Sequence, residues 1–224
     1  MMNYLVVVAH PDDEVLGAGG TINKLIKQGH KVGIVTMCNS ANARCNISDT
    51  LLDDQKRAFE IIGISKSYVA DFPNIKMNII PHLDLVRFIE ECIIDFGAEA
   101  IITHHPFDTN NDHVQTSYAV QAACRVAQRK PGLPSLKKVL YMEVLSSTEW
   151  ILNSNATKFN PNYFVEIGKD GLELKLNALE AYKGVMRDFP HPRCRETIQG
   201  LAAYRGSQSG SNFAEAFECV FVKE

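Results

Sequence analysis

Three absences narrow the field before any motif is read. The six cysteines, Cys38, Cys45, Cys92, Cys124, Cys194 and Cys219, contain no CxxC pair. A thiolate zinc site therefore lacks its spacing, and a disulfide framework is not expected in a chain of 224 residues. An excess of one charge is missing too. The 23 basic and 26 acidic residues leave a formal net charge of -3, which gives no global field to hold nucleic acid or an anionic membrane. The N-terminal apolar run, Tyr4 to Ala9, is too short for a membrane span and has no basic flank of the kind a signal peptide needs. The expectation is a cytoplasmic, reduced protein without a membrane span, whose partner is a small molecule. Nothing in the sequence speaks to its oligomeric state.

Repeats, low-complexity tracts and linkers are absent as well, while 46% hydrophobic and 22% charged residues are ordinary for a globular chain. One domain over residues 1–224 follows. Tyr4 to Ala9 is a continuous β-branched run, as in a parallel strand covered on both faces. Leu16, Ile22, Leu25 and Ile26 then recur at helix spacing up to Gly29, and Lys31 to Met37 reads as a second strand. The same reading gives helices over Leu51 to Ile62, Leu83 to Phe96, Val114 to Ala127, Leu172 to Met186 and Arg193 to Tyr204. Further strands are read around Tyr68 to Ala70, Glu99 to His104, Val139 to Leu145, Tyr163 to Ile167 and Ala216 to Val222. Asn39 to Thr50 and Ser146 to Pro161 are polar and loop-like, and Gly206-Ser-Gln-Ser-Gly210 is read as a loop. Strands alternating with helices predict an α/β, Rossmann-like three-layer fold with a mostly parallel central sheet in a single domain.

Chemistry concentrates in two loops. His10-Pro-Asp-Asp-Glu14 follows the first strand, and Asp108 to His113 follows the Glu99 to His104 strand. Open α/β sheets bind ligands beyond the carboxyl ends of their strands, where the strand order reverses. If these two strands are neighbours, the loops face one another across one crevice. Each cluster alone has a plain reading as a helix cap or solvated turn; the coincidence of both at one sheet edge is what points to a site. His10, Asp13 and His113 then make a His-Asp-His metal set with an open position, as catalytic zinc sites have. Asp12 cannot easily point the same way as Asp13 and is free to act as a base.

The sequence Ala9-His-Pro-Asp-Asp-Glu14, with Asp112-His113 about a hundred residues on, resembles the LmbE-like (PIG-L) family of zinc-dependent N-deacetylases. The resemblance covers most of the chain in element order. It implies hydrolysis of an N-acetyl group from an amino sugar, nucleotide sugar or glycoconjugate. His10, Asp13 and His113 would be the ligands of one Zn²⁺, with another divalent metal as an alternative, and Asp12 the general base. It also implies a substrate-binding role for Arg57, which by itself reads as part of a solvated helix face. The family often carries a histidine three positions before its last ligand, where it polarises the oxyanion. Here that position is Asn110, a neutral donor. Asn110 itself or another group then takes that role: His191 in the turn Phe189-Pro-His-Pro-Arg193 is the expected cation, with His104 and His105 as further options.

Two other features have plain readings. Gly17-Ala-Gly-Gly20 satisfies neither dinucleotide nor P-loop spacing and is expected to serve close helix–strand packing. Gly206 to Gly210 is either a loop closing over the pocket or a connection to the last strand. Two other functions stay open: an amidase acting on a thiol conjugate or other non-sugar amide, and a nucleotide- or sugar-binding module with a structural metal. An open three-ligand site beside Asp12 argues against the second.

Overall fold

The computed structural model describes residues 1–39, 51–152 and 155–224. The Asn39 to Thr50 loop beyond its first residue, Cys45 and two residues of the Ser146 to Pro161 loop lie outside these. The described residues build a seven-stranded sheet of order β3-β2-β1-β4-β5-β7-β6. Its strands are β1 (Asn3–Val8), β2 (Lys31–Thr36), β3 (Lys66–Val69), β4 (Ala100–His104), β5 (Lys138–Met142), β6 (Tyr163–Glu166) and β7 (Ala214–Val222). The first five pair in parallel, and β7 runs antiparallel to both β5 and β6.

Burial explains the composition of the strands. β1 is buried from Tyr4 to Val8, which only an apolar, β-branched run tolerates when both faces are covered. One face packs under α1 (Asp13–Lys27), α2 (Leu51–Ile62), α6 (Gly168–Ala181) and α7 (Arg195–Ser209); the other packs under α3 (His82–Phe96) and α4 (Asn111–Ala123). A short α5 (Val126–Arg129) follows α4. This is the single-domain, three-layer α/β architecture expected from the sequence.

The chain leaves β1 for β2 and β3 on one side, then returns with β4 on the other side of β1, where Tyr4 pairs with Ala100. The strand order therefore reverses between β1 and β4. The loops that follow these two strands open into one crevice, which is what positions the site.

Three helices differ most from expectation. Helix α4 begins at Asn111, because Asn110 caps it, and stops before Cys124 instead of running to Ala127. Helix α6 begins at Gly168 and ends at Ala181, short of Met186. The Gly206 to Gly210 segment is not a loop: α7 continues to Ser209 and ends at Gly210, whose φ of 75° supplies the left-handed stop. It does not line the crevice described below.

The glycines of α1 serve packing. A Cβ at Gly17 would come within 2.4 Å of the Met142 Sδ on β5, and one at Gly20 within 2.8 Å of Ile167. The helix kinks at Ala18, and the Glu215 carboxylate accepts the Gly20 and Thr21 N–H groups at 3.1 and 2.7 Å while pairing with Lys175 at 2.7 Å.

Candidate metal centre

The end of β1 and the start of α1 are joined by a tight turn. Asp12 adopts φ 106°, in the left-handed region, as the last residue before α1. A non-glycine residue held there is strained, and such strain is tolerated where the surroundings over-determine it. Here the Glu14 carboxylate accepts the Asp12 N–H at 3.1 Å, and Glu14 is in turn hydrogen-bonded by the Tyr182 hydroxyl from beyond α6. The Asp13 carboxylate accepts the His10 N–H at 2.9 Å, closing the turn. Asp13 and Glu14 also sit in the first turn of α1, where the helix dipole favours negative charge.

Three donors converge above this turn. Asp13 Oδ2 lies 3.4 Å from His10 Nδ1 and 3.2 Å from His113 Nε2. One ligand atom from each of His10, Asp13 and His113 falls within 4.8 Å of the others.

Each imidazole is aimed by a second carboxylate. His10 Nε2 meets Asp112 Oδ2 at 3.1 Å, and Asp112 is fixed by the Ile75 and Met77 N–H groups at 2.5 and 3.1 Å. His113 Nδ1 lies 3.3 Å from Asp108 Oδ1, and Asp108 accepts Thr148 Oγ1 at 2.7 Å, the Asn110 N–H at 2.8 Å and the Ser147 hydroxyl. Fixing one ring nitrogen this way presents the other to the centre, the usual outer support of metal-binding histidines.

The electrostatics favour a cation. Burial works against charge on His10, but Asp112 and Asp13 outweigh it and raise its pKa to about 10. His113 is raised to about 9 for the same reason, by Asp13 and Asp108. Burial favours neutral Asp13, yet His113 and His10 hold it well below the usual carboxylate range. Two imidazoles and a carboxylate at this spacing are also a donor set that zinc and other first-row divalent ions accept. The residues present fit a divalent metal.

The centre lies at the floor of a cleft of about 530 Å³. Asp12 lines it, 6% exposed, and burial, opposed by Arg193, pushes its pKa up to about 6. Asn110, His191 and Arg193 also line it. Asn110 caps α4, its Oδ1 accepting the Asp112 N–H at 2.9 Å, which leaves its NH₂ group to donate. His191 is exposed at the rim, and its Nδ1 accepts the Arg193 N–H at 3.0 Å.

The other expected residues lie elsewhere. Arg57 is not among the cleft-lining residues; it pairs with Asp54, whose second oxygen accepts the Lys183 N–H at 3.0 Å on the cleft wall. His104 is fully buried under the site. Its Nε2 accepts the Ala9 N–H at 2.9 Å, and its ring stacks on His113 at 3.8 Å. Burial depresses its pKa to about 3, so the ring is neutral. His105 turns away from the cleft toward Tyr141, Phe107 and Phe159. Neither histidine reaches the cleft, so both oxyanion options fall away.

The sequence did not single out Arg193, the guanidinium that reaches Asp12, or Tyr182, which supports Glu14. Both are distant in the chain from what they touch. Asp112 could have been found, since a carboxylate beside one ligand cannot easily share its direction and is free to serve another.

The comparisons with known proteins give the chain a family. Residues 5–124 match the family model described as PIG-L, GlcNAc-PI de-N-acetylase, which takes in both loops of the centre. The chain belongs to this family. PIG-L proteins are metal-dependent amide hydrolases, and this chain's homologues carry deacetylase names. It is 25% identical to the diacetylchitobiose deacetylase of Thermococcus kodakarensis, over 96% of this chain and 82% of that protein. The structure of N,N'-diacetylchitobiose deacetylase from Pyrococcus horikoshii superposes with a TM-score of 0.79 at 20% identity, covering 98% of this chain and 84% of that one. The 4-carboxy-2-hydroxymuconate hydratase of Pseudomonas putida also shares the fold, with a TM-score of 0.76 at 21% identity over 100% of this chain and 98% of that one. Among PIG-L-like folds, then, the reaction is set by the site. Among the described residues, no helix is long and apolar enough to cross a membrane.

Proposed function

We propose that the whole chain, residues 1–224, is one zinc-dependent N-deacetylase domain acting in the cytoplasm on an N-acetylated amino sugar or its conjugate. The observation that carries this reading is the convergence of His10, Asp13 and His113 at the floor of the cleft with buried Asp12 beside them. The deacetylase names of the relatives and the size of the cleft, enough for a sugar and part of its aglycone, support the substrate class.

His10, Asp13 and His113 would hold the metal, with Asp108 and Asp112 keeping the imidazoles aimed. Bound there, zinc would acidify a water and polarise the amide carbonyl. Asp12 takes the proton as the water oxygen bonds to the carbonyl carbon. The carbonyl π electrons move onto oxygen, where the Asn110 amide donates a hydrogen bond. Collapse of the tetrahedral species breaks the C–N bond, and Asp12 passes its proton to the departing nitrogen, leaving acetate and a free amine. Asp12, buried beside the ligands and lining the cleft, is placed to hold and return that proton. His191 contacts the substrate at the rim, and Arg57 acts through Asp54 on the Lys183 wall.

The test compares wild type with Asp12→Ala. Bound zinc is quantified, and amine release is followed from N-acetylglucosamine, diacetylchitobiose and a nucleotide derivative. One zinc in each protein, with amine release from wild type alone, is expected. A wild type that binds no metal after reconstitution would overturn the reading. Loss of zinc from Asp12→Ala would show that Asp12 and Asp13 have exchanged roles.

A further inference from the structure

Cationic side chains facing the cleft remain outside that chemistry. Lys183, Arg187 and Arg193 line the cleft, and it is Arg193, in the connection between α6 and α7, that reaches the base. Its Nη1 donates to Asp12 Oδ2 at 2.9 Å, and its Nε donates to Ser146 Oγ at 2.7 Å. The two anchors come from the start of α1 and the loop after β5, so the guanidinium is fixed by two segments far apart in the chain.

Three features separate this contact from a surface ion pair. The Arg193 side chain is 25% exposed and that of Asp12 9%, so the pair is largely shielded from water. Ser146, the second anchor, sits at φ 70° and adjoins Ser147, whose hydroxyl bonds the carboxylate that aims His113. The arginine thus belongs to the same framework as the metal ligands. Finally, a guanidinium carries five N–H donors. Two serve Asp12 and Ser146, and three remain beside the carboxylate that would take the water's proton.

We propose that Arg193 is a catalytic residue which supplies the fixed positive charge that neutral Asn110 cannot. This inference rests on the deacetylase reading. Arg193 occupies Asp12 Oδ2, leaving Oδ1 to take the proton, and its remaining N–H groups donate to the carbonyl oxygen as negative charge develops there. His191, two residues earlier, braces the turn by accepting the Arg193 backbone N–H. The charge interacts little with a neutral amide and strongly with its tetrahedral successor, so its effect falls on kcat and not on KM.

The experiment measures kcat, KM and zinc content for wild type, Arg193→Met, Arg193→Lys and Arg193→Ala. Calorimetry follows binding of a phosphonamidate analogue of the N-acetyl group and of the neutral parent sugar that carries a hydroxyl in place of the amine. Arg193→Met is expected to lower kcat by about 10²–10³-fold with KM within about threefold and zinc retained. It should weaken phosphonamidate binding by a comparable factor while leaving binding of the neutral sugar unchanged. Arg193→Lys should recover part of the loss, and added guanidinium should partly rescue Arg193→Ala, which a merely structural arginine would not allow. Unchanged kcat in Arg193→Met, or equal weakening of both ligands, would overturn the proposal while the deacetylase reading stood. A wild type that releases no amine from any substrate would overturn both.

Discussion

Replacing Asp108 by asparagine should weaken metal binding while leaving the chain folded. The carboxylate lies 5% exposed, where β4 gives way to α4; burial works against its charge, but His113, with hydrogen bonds from Ser147 and the Asn110 N–H, holds its pKa down to about 2. Its Oδ1 faces His113 Nδ1 at 3.3 Å, and that contact keeps Nε2 directed at Asp13, 3.2 Å away. Asparagine keeps the volume but removes the charge and turns one acceptor into a donor. Whichever way the amide is turned, either the Thr148 hydroxyl or the group at Oδ1 loses an acceptor. A hydrogen bond to a charged group contributes about 1.5–3 kcal/mol. Loss of the carboxylate behind a metal-binding histidine typically costs about 10–100-fold in affinity, roughly 1.4–2.7 kcal/mol. The two estimates agree, so most of the lost energy should appear as lost affinity. Competition with a chromophoric chelator measures the zinc Kd, and urea unfolding of the metal-free protein controls for a general loss of structure. Unchanged zinc affinity in Asp108→Asn would refute the argument that this carboxylate aims the ligand.

The parts of the molecule legible in the sequence are those fixed by neighbours in the chain. Helix α2 was expected over its observed span, because its amphipathic pattern runs into Gly63, which adopts φ 93°. The two site loops were legible because each follows a buried strand directly. Helix α7 was cut short for the opposite reason. Gly-Ser-Gln-Ser-Gly composition reads as a loop, but Gly206 is a helical glycine kept small by the Asn212 backbone packed on it. Tertiary packing overrode the local signal. A cation to assist the oxyanion was expected at His191, and the guanidinium that reaches Asp12 lies two residues on in the same turn. His191 drew attention as a titratable group between prolines, and it lies exposed at the rim of the cleft. The residue that reaches inward is Arg193, and only the fold brings it beside an aspartate 181 positions away.

Two further changes test packing and pH response. In Gly206→Ala the new Cβ would lie 2.7 Å from the Asn212 carbonyl carbon and oxygen and the Ser211 oxygen, all backbone atoms that cannot swing aside. Such overpacking costs about 1–3 kcal/mol, read as a lower urea midpoint; an unchanged midpoint would mean that α7 does not pack this tightly on the chain that follows. His105 should make stability depend on pH. Its ring is 1% exposed, Nδ1 accepts the Phe107 N–H at 3.3 Å, and burial pushes its pKa down to about 4 from an ordinary 6.5. Between those values the unfolded chain binds a proton that the folded chain refuses, so the contribution is fully present above pH 6.5 and is lost as pH falls toward 4. The shift corresponds to at most about 3 kcal/mol, and Glu218, 3.5 Å from Nε2, offers the protonated ring a partner that lowers the cost. Urea midpoints across this window should therefore fall less steeply with acidity in His105→Gln than in wild type. Parallel slopes for the two proteins would show that the His105 ring gains its proton as easily in the fold as outside it.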